Sequence, residues 1–206
     1  MQSLTEVSSY HSERFTIIFD LEETLAHISE KTQGADAYIP VITLDKQHTK
    51  LGVHYRPFLK ESLMRLKSLD CELIVWTSGT LEYVNKVINS IDPDNEIFDM
   101  RLFRDQCYIS PKGYFVKDLR IINRDLDRCI IVDDHAYSFG FQVENGVLIL
   151  PFTGEPGDAE LLTLTEYLTF LIKQEDFRIV NRKHFKYDIF EKETNFENLL
   201  KKLIKG

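Results

Sequence analysis

With 206 residues, 43% hydrophobic and 28% charged, the chain has the length of one domain and the composition of an ordinary globular protein. Its formal net charge of -8 argues against a nucleic-acid-binding face as the main function, and no apolar segment reaches the roughly 18–20 residues of a membrane span. Cys71, Cys107 and Cys129 form no C-x-x-C pair and are odd in number, which points to reduced thiols and a cytoplasmic or nuclear, reducing compartment.

Residues 1–13 are polar and read as an N-terminal arm without the apolar core of a targeting peptide. The run FTIIFDLEETL (15–25) opens the domain: an apolar stretch over 15–20 predicts a strand buried on both faces, ended by Asp20 and followed by Glu22, Glu23 and Thr24. Residues 28–55 lack helical periodicity. AYIPVITL (37–44) and KLGVHY (50–55) are β-like around a DKQH turn, so a small β-insertion is expected, lying over the strand ends like a lid. Arg56-Pro57 predicts a helix start, with Phe58, Leu59, Leu63, Leu66 and Leu69 as its apolar stripe.

The next strand is ELIVW within 72–79, ending on Thr77-Ser78-Gly79, and a helix follows over 80–91 until Asp92-Pro93 stops it. Residues 97–110 read as irregular or short-stranded, and Pro111-Lys112-Gly113 as a turn before YFVKDL (114–119). RCIIVDD (128–134) predicts a third buried strand and VLILPF (147–152) a fourth; a helix is expected over 159–173. The segment 176–206 reads as a charged, aromatic C-terminal extension whose last stretch, FENLLKKLIK, suits a short amphipathic helix that docks on the domain's own surface or, as the alternative, on a protein partner.

Strands alternating with helices predict an α/β fold with a Rossmann-like parallel sheet flanked by helices. Open sheets of this kind bind ligands at the carboxyl ends of their strands. That edge should collect Asp20, Glu22, Thr77, Lys117, Asp133 and Asp134. Several carboxylates meeting at one point repel unless a cation joins them, and oxygen ligands of this kind favour Mg2+. A metal and a lysine together neutralise a phosphate, and a carboxylate can then act as nucleophile through an aspartyl-phosphate.

The stretches DLEETLAH, VWTSGTLEY, RLFRDQCYISPKGYFVKDL and CIIVDD, in this order and spacing, resemble the haloacid dehalogenase superfamily, and within it the FCP/SCP-like branch of small C-terminal-domain protein phosphatases. The likeness covers about residues 14–175. It implies a serine/threonine phosphatase acting through phospho-Asp20, with a phosphoprotein or phosphopeptide as substrate and Mg2+ as cofactor.

By the same resemblance, Asp20, the carbonyl of Glu22 and Asp134 would hold the metal, with Asp133 supporting them from behind. The Glu22 side chain would be the acid/base, Thr77 would bind phosphoryl oxygens and Lys117 would stabilise their charge. Ser78, Tyr83 and Arg104 fall at substrate-facing positions. The chain departs from the family pattern Asp-x-Asp-x-Thr by carrying Glu22 as its second acid. An added methylene predicts slower turnover, and the alternative is a weak or inactive pseudophosphatase serving as a scaffold subunit of a larger complex. Asp134 stands where the small phosphatases often have Asn, and Glu30 where they have an aromatic residue of a peptide pocket.

Overall fold

The computed structural model describes residues 13–42 and 48–186. The expected N-terminal arm up to residue 12, most of the turn inside the β-insertion and the expected C-terminal amphipathic helix lie outside the described residues.

Five short strands form one parallel sheet in the order β10-β9-β1-β5-β6. β1 is Thr16–Phe19, β5 Glu72–Trp76, β6 Met100–Leu102, β9 Cys129–Asp133 and β10 Gly146–Leu148. All four of the expected sheet strands are therefore present, as β1, β5, β9 and β10. β6 is the strand the residues do not advertise: three residues long, with Arg101 in its middle, it has too little apolar run to stand out. The expected strand over 147–152 pairs only as far as Leu148, and at this edge of the sheet Leu148 and Leu150 are exposed.

Register is what builds the functional edge. Thr16 pairs with both Glu72 and Cys129, and Phe19 with both Val75 and Val132. Three neighbouring strands therefore end together, and Asp20, Trp76 and Asp133 stand side by side at one rim. The Asp20 N–H continues the ladder onto the Val132 carbonyl (2.9 Å).

The two faces of the sheet are covered differently. Ile17, Phe19, Leu73, Val75, Ile130 and Val132 pack into one apolar cluster with α1 (Leu59–Ser68), α2 (Leu81–Ile91), α3 (Glu160–Leu171) and Phe177 of α4 (Phe177–His184). Ile18, Ile74, Trp76 and Ile131 point the other way, onto Leu119, Ile122 and Phe139, which lie on short 3-10 turns. This alternation within fully buried strands follows from the two-residue period of a strand.

The insertion is an antiparallel sheet of β2 (Ala26–Ser29), β4 (His48–Tyr55) and β3 (Ala37–Ile42), in that order. It docks against α2: the Tyr55 hydroxyl donates to the Ser90 carbonyl (2.8 Å) and Lys86 Nζ to the Pro40 carbonyl (3.1 Å), while Ile39 and Val53 join the main core. Its apolar side is thus spent on α2, and the expected lid over the strand ends is not formed by residues 26–42 or 48–55.

α1 begins at Leu59, after Phe58 in a left-handed conformation (φ 65°), rather than at Pro57. Arg56 explains the delay. Its guanidinium is buried and donates to Asp158 (2.9 and 2.8 Å), to the Thr24 carbonyl (3.2 Å) and to the Leu150 carbonyl (2.9 Å), tying the turn after β1 to the loop before α3.

Candidate active site

Lys117 is the hub. It follows β8 (Phe115–Val116), which pairs with β7 (Tyr108–Ile109) in a small hairpin turned by Gly113 at φ 83°. The Lys117 N–H donates to the Ser138 carbonyl (2.7 Å), and its Nζ reaches Asp20 Oδ1 at 2.5 Å and Asp133 Oδ2 at 2.7 Å. All three side chains are buried. Burial alone would lower the lysine pKa, but the two carboxylates override it and hold the ammonium protonated. Burial pushes the Asp20 carboxyl up; Lys117 pulls it back, and Asp133 and Glu22 push it up again, leaving it well above the usual carboxylate range.

Asp133 is fixed on its other oxygen by the His135 N–H (2.8 Å), and Asp134 Oδ1 meets His135 Nδ1 at 2.9 Å. Hydrogen bonding to Asp134 raises the His135 pKa. Candidate ligand atoms of Asp133, Asp134 and His135 lie within 4.8 Å of one another.

The turn after β1 aims Glu22. Glu23 takes a left-handed conformation (φ 60°) and its carbonyl accepts from the Phe152 N–H (2.7 Å), while its carboxylate goes to His27 Nδ1 (2.8 Å). Glu22 points back to the end of β5, where its Oε2 accepts from the Thr77 hydroxyl at 2.5 Å.

These groups surround a cavity of about 190 Å³ whose polar wall is Asp20, Glu22, Ser78, Lys117, Asp133 and Asp134. A larger hollow of about 770 Å³, near Arg14 and Asp125, opens at the other end of the sheet, far from these carboxylates.

Of the residues singled out in the sequence, Asp20, Glu22, Lys117, Asp133, Asp134 and Ser78 come together here. Thr77 sits behind them, fully buried, with its hydroxyl on Glu22. Tyr83 and Arg104 do not line the cavity. Arg104 braces the rim instead: its Nε donates to the Ser78 carbonyl (2.6 Å) and its guanidinium lies 4.9 Å from the Phe115 ring. Tyr83 is half-buried against the core; burial, then Glu22 and Glu23, push its hydroxyl up to about 12.

The aromatic wall was missed. Tyr114, Phe115 and Tyr137 line the cavity with His135, the Tyr114 and Tyr137 rings 5.0 Å apart and His135 4.9 Å from Tyr137. Strand alternation was the available signal for Phe115, two residues before Lys117. The thiols are bystanders: burial pushes Cys71 and Cys107 up to about 11, and all three cysteines are free and buried.

Residues 15–178 match the family described as NLI interacting factor-like phosphatase. The chain belongs to this family. It is 36% identical over 178 residues to CTD small phosphatase-like protein 2 of Dictyostelium discoideum, covering 86% of this chain and 31% of that protein. It is 33% identical over 174 residues to human carboxy-terminal domain RNA polymerase II polypeptide A small phosphatase 2, covering 84% of this chain and 63% of that protein. The chain thus spans about a third to three-fifths of these relatives. In fold it is similar to Fcp1, an RNA polymerase II CTD phosphatase, with a TM-score of 0.57 at 20% identity over 93% of this chain and 62% of that one. No helix among the described residues is long and apolar enough to cross a membrane.

Proposed function

We propose that the chain is a Mg2+-dependent protein serine/threonine phosphatase working through phospho-Asp20. One observation carries the reading: a buried lysine shared by two carboxylates, at the floor of a cavity that holds more acids than bases. A phosphate cannot approach such a floor unless the acids are neutralised.

The donor set fits a hard divalent cation. It offers the carboxylates of Asp20, Glu22, Asp133 and Asp134, against one buried ammonium. Asp20, Glu22 and Asp134 would hold the ion, with Asp133 anchored behind by Lys117 and His135. When bound, the ion supplies charge neutralisation for the carboxylates and the phosphoryl oxygens.

The chemistry of the chain's own residues then runs in two displacements. Asp20 attacks phosphorus, the bond to the serine or threonine oxygen breaks, and Glu22 gives that oxygen its proton. Water next attacks phosphorus while Glu22 takes a proton from it. The bond to Asp20 breaks, inorganic phosphate leaves, and the free carboxylate returns. Lys117 holds Asp20 in place and balances charge throughout, and Ser78 faces the phosphoryl group. Thr77 belongs to the catalytic set through Glu22. Arg104 and Tyr83 act at the approach to the cavity, Arg104 by bracing Ser78.

A phosphoserine or phosphothreonine on a protein or extended peptide fits a cavity that residues of the insertion do not roof. The curated relatives are named for phosphatases of this kind, and a cytoplasmic or nuclear compartment suits three free thiols. The bond between Thr77 and Glu22 favours a second reading, a weak or inactive pseudophosphatase serving as a scaffold subunit, since it occupies a hydroxyl expected to face phosphate. Hydrolysis of an aryl phosphate and of a phosphoserine peptide with Mg2+ separates the two. Turnover abolished by Asp20→Asn is the expected result; equal residual rates in wild type and Asp20→Asn would overturn the enzyme reading.

A further inference from the structure

We infer that Tyr114, Tyr137 and His135 form a recognition panel that selects phosphoproteins with an aromatic side chain directly beside the phosphoserine or phosphothreonine. The inference rests on the phosphatase reading above and narrows its substrate class.

The three rings already make one surface. The Tyr114 and Tyr137 centroids are 5.0 Å apart with planes at 47°, and those of Tyr137 and His135 are 4.9 Å apart at 52°. Aromatic pairs favour such separations, in offset or tilted arrangements rather than a flat sandwich. Tyr114 and Tyr137 are only half-buried and His135 is exposed, so the series is open to a further ring.

The panel rises from the floor of the cavity. Tyr114 stands three residues before Lys117, and Tyr137 three residues after Asp134. The Lys117 N–H on the Ser138 carbonyl (2.7 Å) ties these two segments together through the backbone. Phe115, between Tyr114 and the lysine strand end, is backed by the Arg104 guanidinium at 4.9 Å. Rings held in this way lose little freedom when a ligand binds. A phosphoserine has a one-carbon side chain, so its phosphoryl group reaches the floor only if the peptide backbone enters the cavity mouth. Successive Cα atoms are about 3.8 Å apart. The neighbouring side chain therefore lies within one ring spacing of the panel.

The surroundings leave an aromatic neighbour no other place. Apart from Gly113 and Phe115, every remaining residue of the cavity lining carries a charge or a hydroxyl. A hollow of about 470 Å³ in the β-insertion is lined by Glu30, Thr32, Tyr38, Thr49 and Lys50, again mostly charged or hydroxylic. An acidic neighbour is disfavoured by Glu22 and Glu23, which share the cavity.

The test uses phosphoserine peptides that differ only in the residue after the phosphoserine, and a second set that differs only in the residue before it, each with Phe, Ala or Asp. Hydrolysis with Mg2+ gives kcat/KM for the wild type, and fluorescence anisotropy gives Kd for the Asp20→Asn protein. Phe should exceed Ala by roughly two- to tenfold in at least one set, the size of a single aromatic pair. Tyr114→Ala and Tyr137→Ala should each pull that ratio toward one. Tyr114→Phe and Tyr137→Phe should keep it, because the ring and not the hydroxyl makes the contact. Tyr114→Leu, which keeps bulk without a ring, should lose it and serves where the alanine variant does not fold. Tyr38→Ala, in the insertion, should leave it unchanged.

Equal rates for Phe and Ala in both sets, a preference for Asp, a ratio that survives Tyr114→Ala and Tyr137→Ala, or one removed by Tyr38→Ala would overturn the panel. Failure of the wild type to hydrolyse any of these peptides would defeat the phosphatase reading. The affinities of the Asp20→Asn protein then decide the panel alone: tighter binding of the Phe peptides supports it, and equal binding overturns it.

Discussion

The same three strands carry a charged cluster at each end, and the two ends are built to opposite rules. At the N-terminal end, Glu72 accepts from Arg124 Nε and Nη2 (2.8 Å each) and from the Thr16 hydroxyl (2.7 Å). Acid and base meet as a two-point fork, and both are buried. At the C-terminal end, Lys117 is shared by Asp20 and Asp133, with Glu22 and Asp134 beside them. Charge there is left unbalanced. A balanced buried cluster serves the fold; an unbalanced one waits for a partner of opposite sign.

Charge-removing substitutions at the two ends should therefore behave oppositely, and Asp20→Asn has the largest expected effect. Turnover of an aryl phosphate should fall to background because the nucleophile is gone. The melting temperature without divalent ions should hold or rise, since like charges are thinned while Lys117 keeps a partner. A stability loss as large as the next one would break the comparison. Arg124→Met at the other end should destabilise the fold by about 3–5 kcal/mol in denaturant unfolding, because it strands a buried carboxylate. Activity per folded molecule should be unchanged.

How far the residues themselves disclosed these two ends is instructive. Asp20, Lys117, Asp133 and Asp134 were legible because each ends an apolar run or sits beside one; parallel pairing in register delivers the aspartates to one rim, and the β7–β8 hairpin brings Lys117 to it. Glu72 was not, since it stands at the start of a strand, where a charged residue reads as the end of a solvated loop. Its partner Arg124 is 52 positions away with no periodicity to link them. Arg56 was mistaken for a helix start for the same reason: its four hydrogen bonds go to Asp158, Thr24 and Leu150, contacts that only the folded chain brings near. The Glu22–Thr77 bond depends on the turn at Glu23, whose left-handed backbone a non-glycine residue does not announce. β6 and the 3-10 turns fell below the length at which a pattern can be read.

Divalent ions give the next effect in size. Mg2+ at a hundredfold excess over its Kd should stabilise the wild type by about 2.7 kcal/mol by mass action, read as a rise in melting temperature that a chelator reverses. Asp134→Asn should shrink that rise, and Glu72→Gln should leave it intact. An equal rise in all three proteins would mean that Mg2+ binds elsewhere and that the unbalanced end is not its site.

Acid titration sharpens the contrast at the balanced end. Burial alone would raise the Glu72 pKa, but the Arg124 fork and the Thr16 hydroxyl override it, and the net direction is down. A carboxyl lowered on folding contributes stability that is present above its unfolded pKa, near 4.3, and is lost as pH falls through the lower folded value. The wild type should therefore lose stability below about pH 4.3 more steeply than Glu72→Gln, which has no proton to take up there. Parallel acid profiles would show that the cluster does not hold Glu72 ionised.

The smallest effect tests whether burial, rather than pairing as such, gives that end its strength. Asp99 lies close by, where its backbone N–H meets the Leu73 carbonyl, and it pairs with Lys67 Nζ at 3.1 Å. The chemistry matches that of Glu72 and Arg124, but these side chains are 23% and 22% exposed against 3% and 2%. Water screens the pair and the long lysine loses entropy to make it, so Lys67→Ala should change unfolding free energy by no more than about 1 kcal/mol. Asp99 keeps its bond from the Leu73 N–H (2.9 Å), which limits the damage further. A loss matching that of Arg124→Met would show that the ion pairs at this end act as one network across its surface, and exclusion of water would no longer distinguish them.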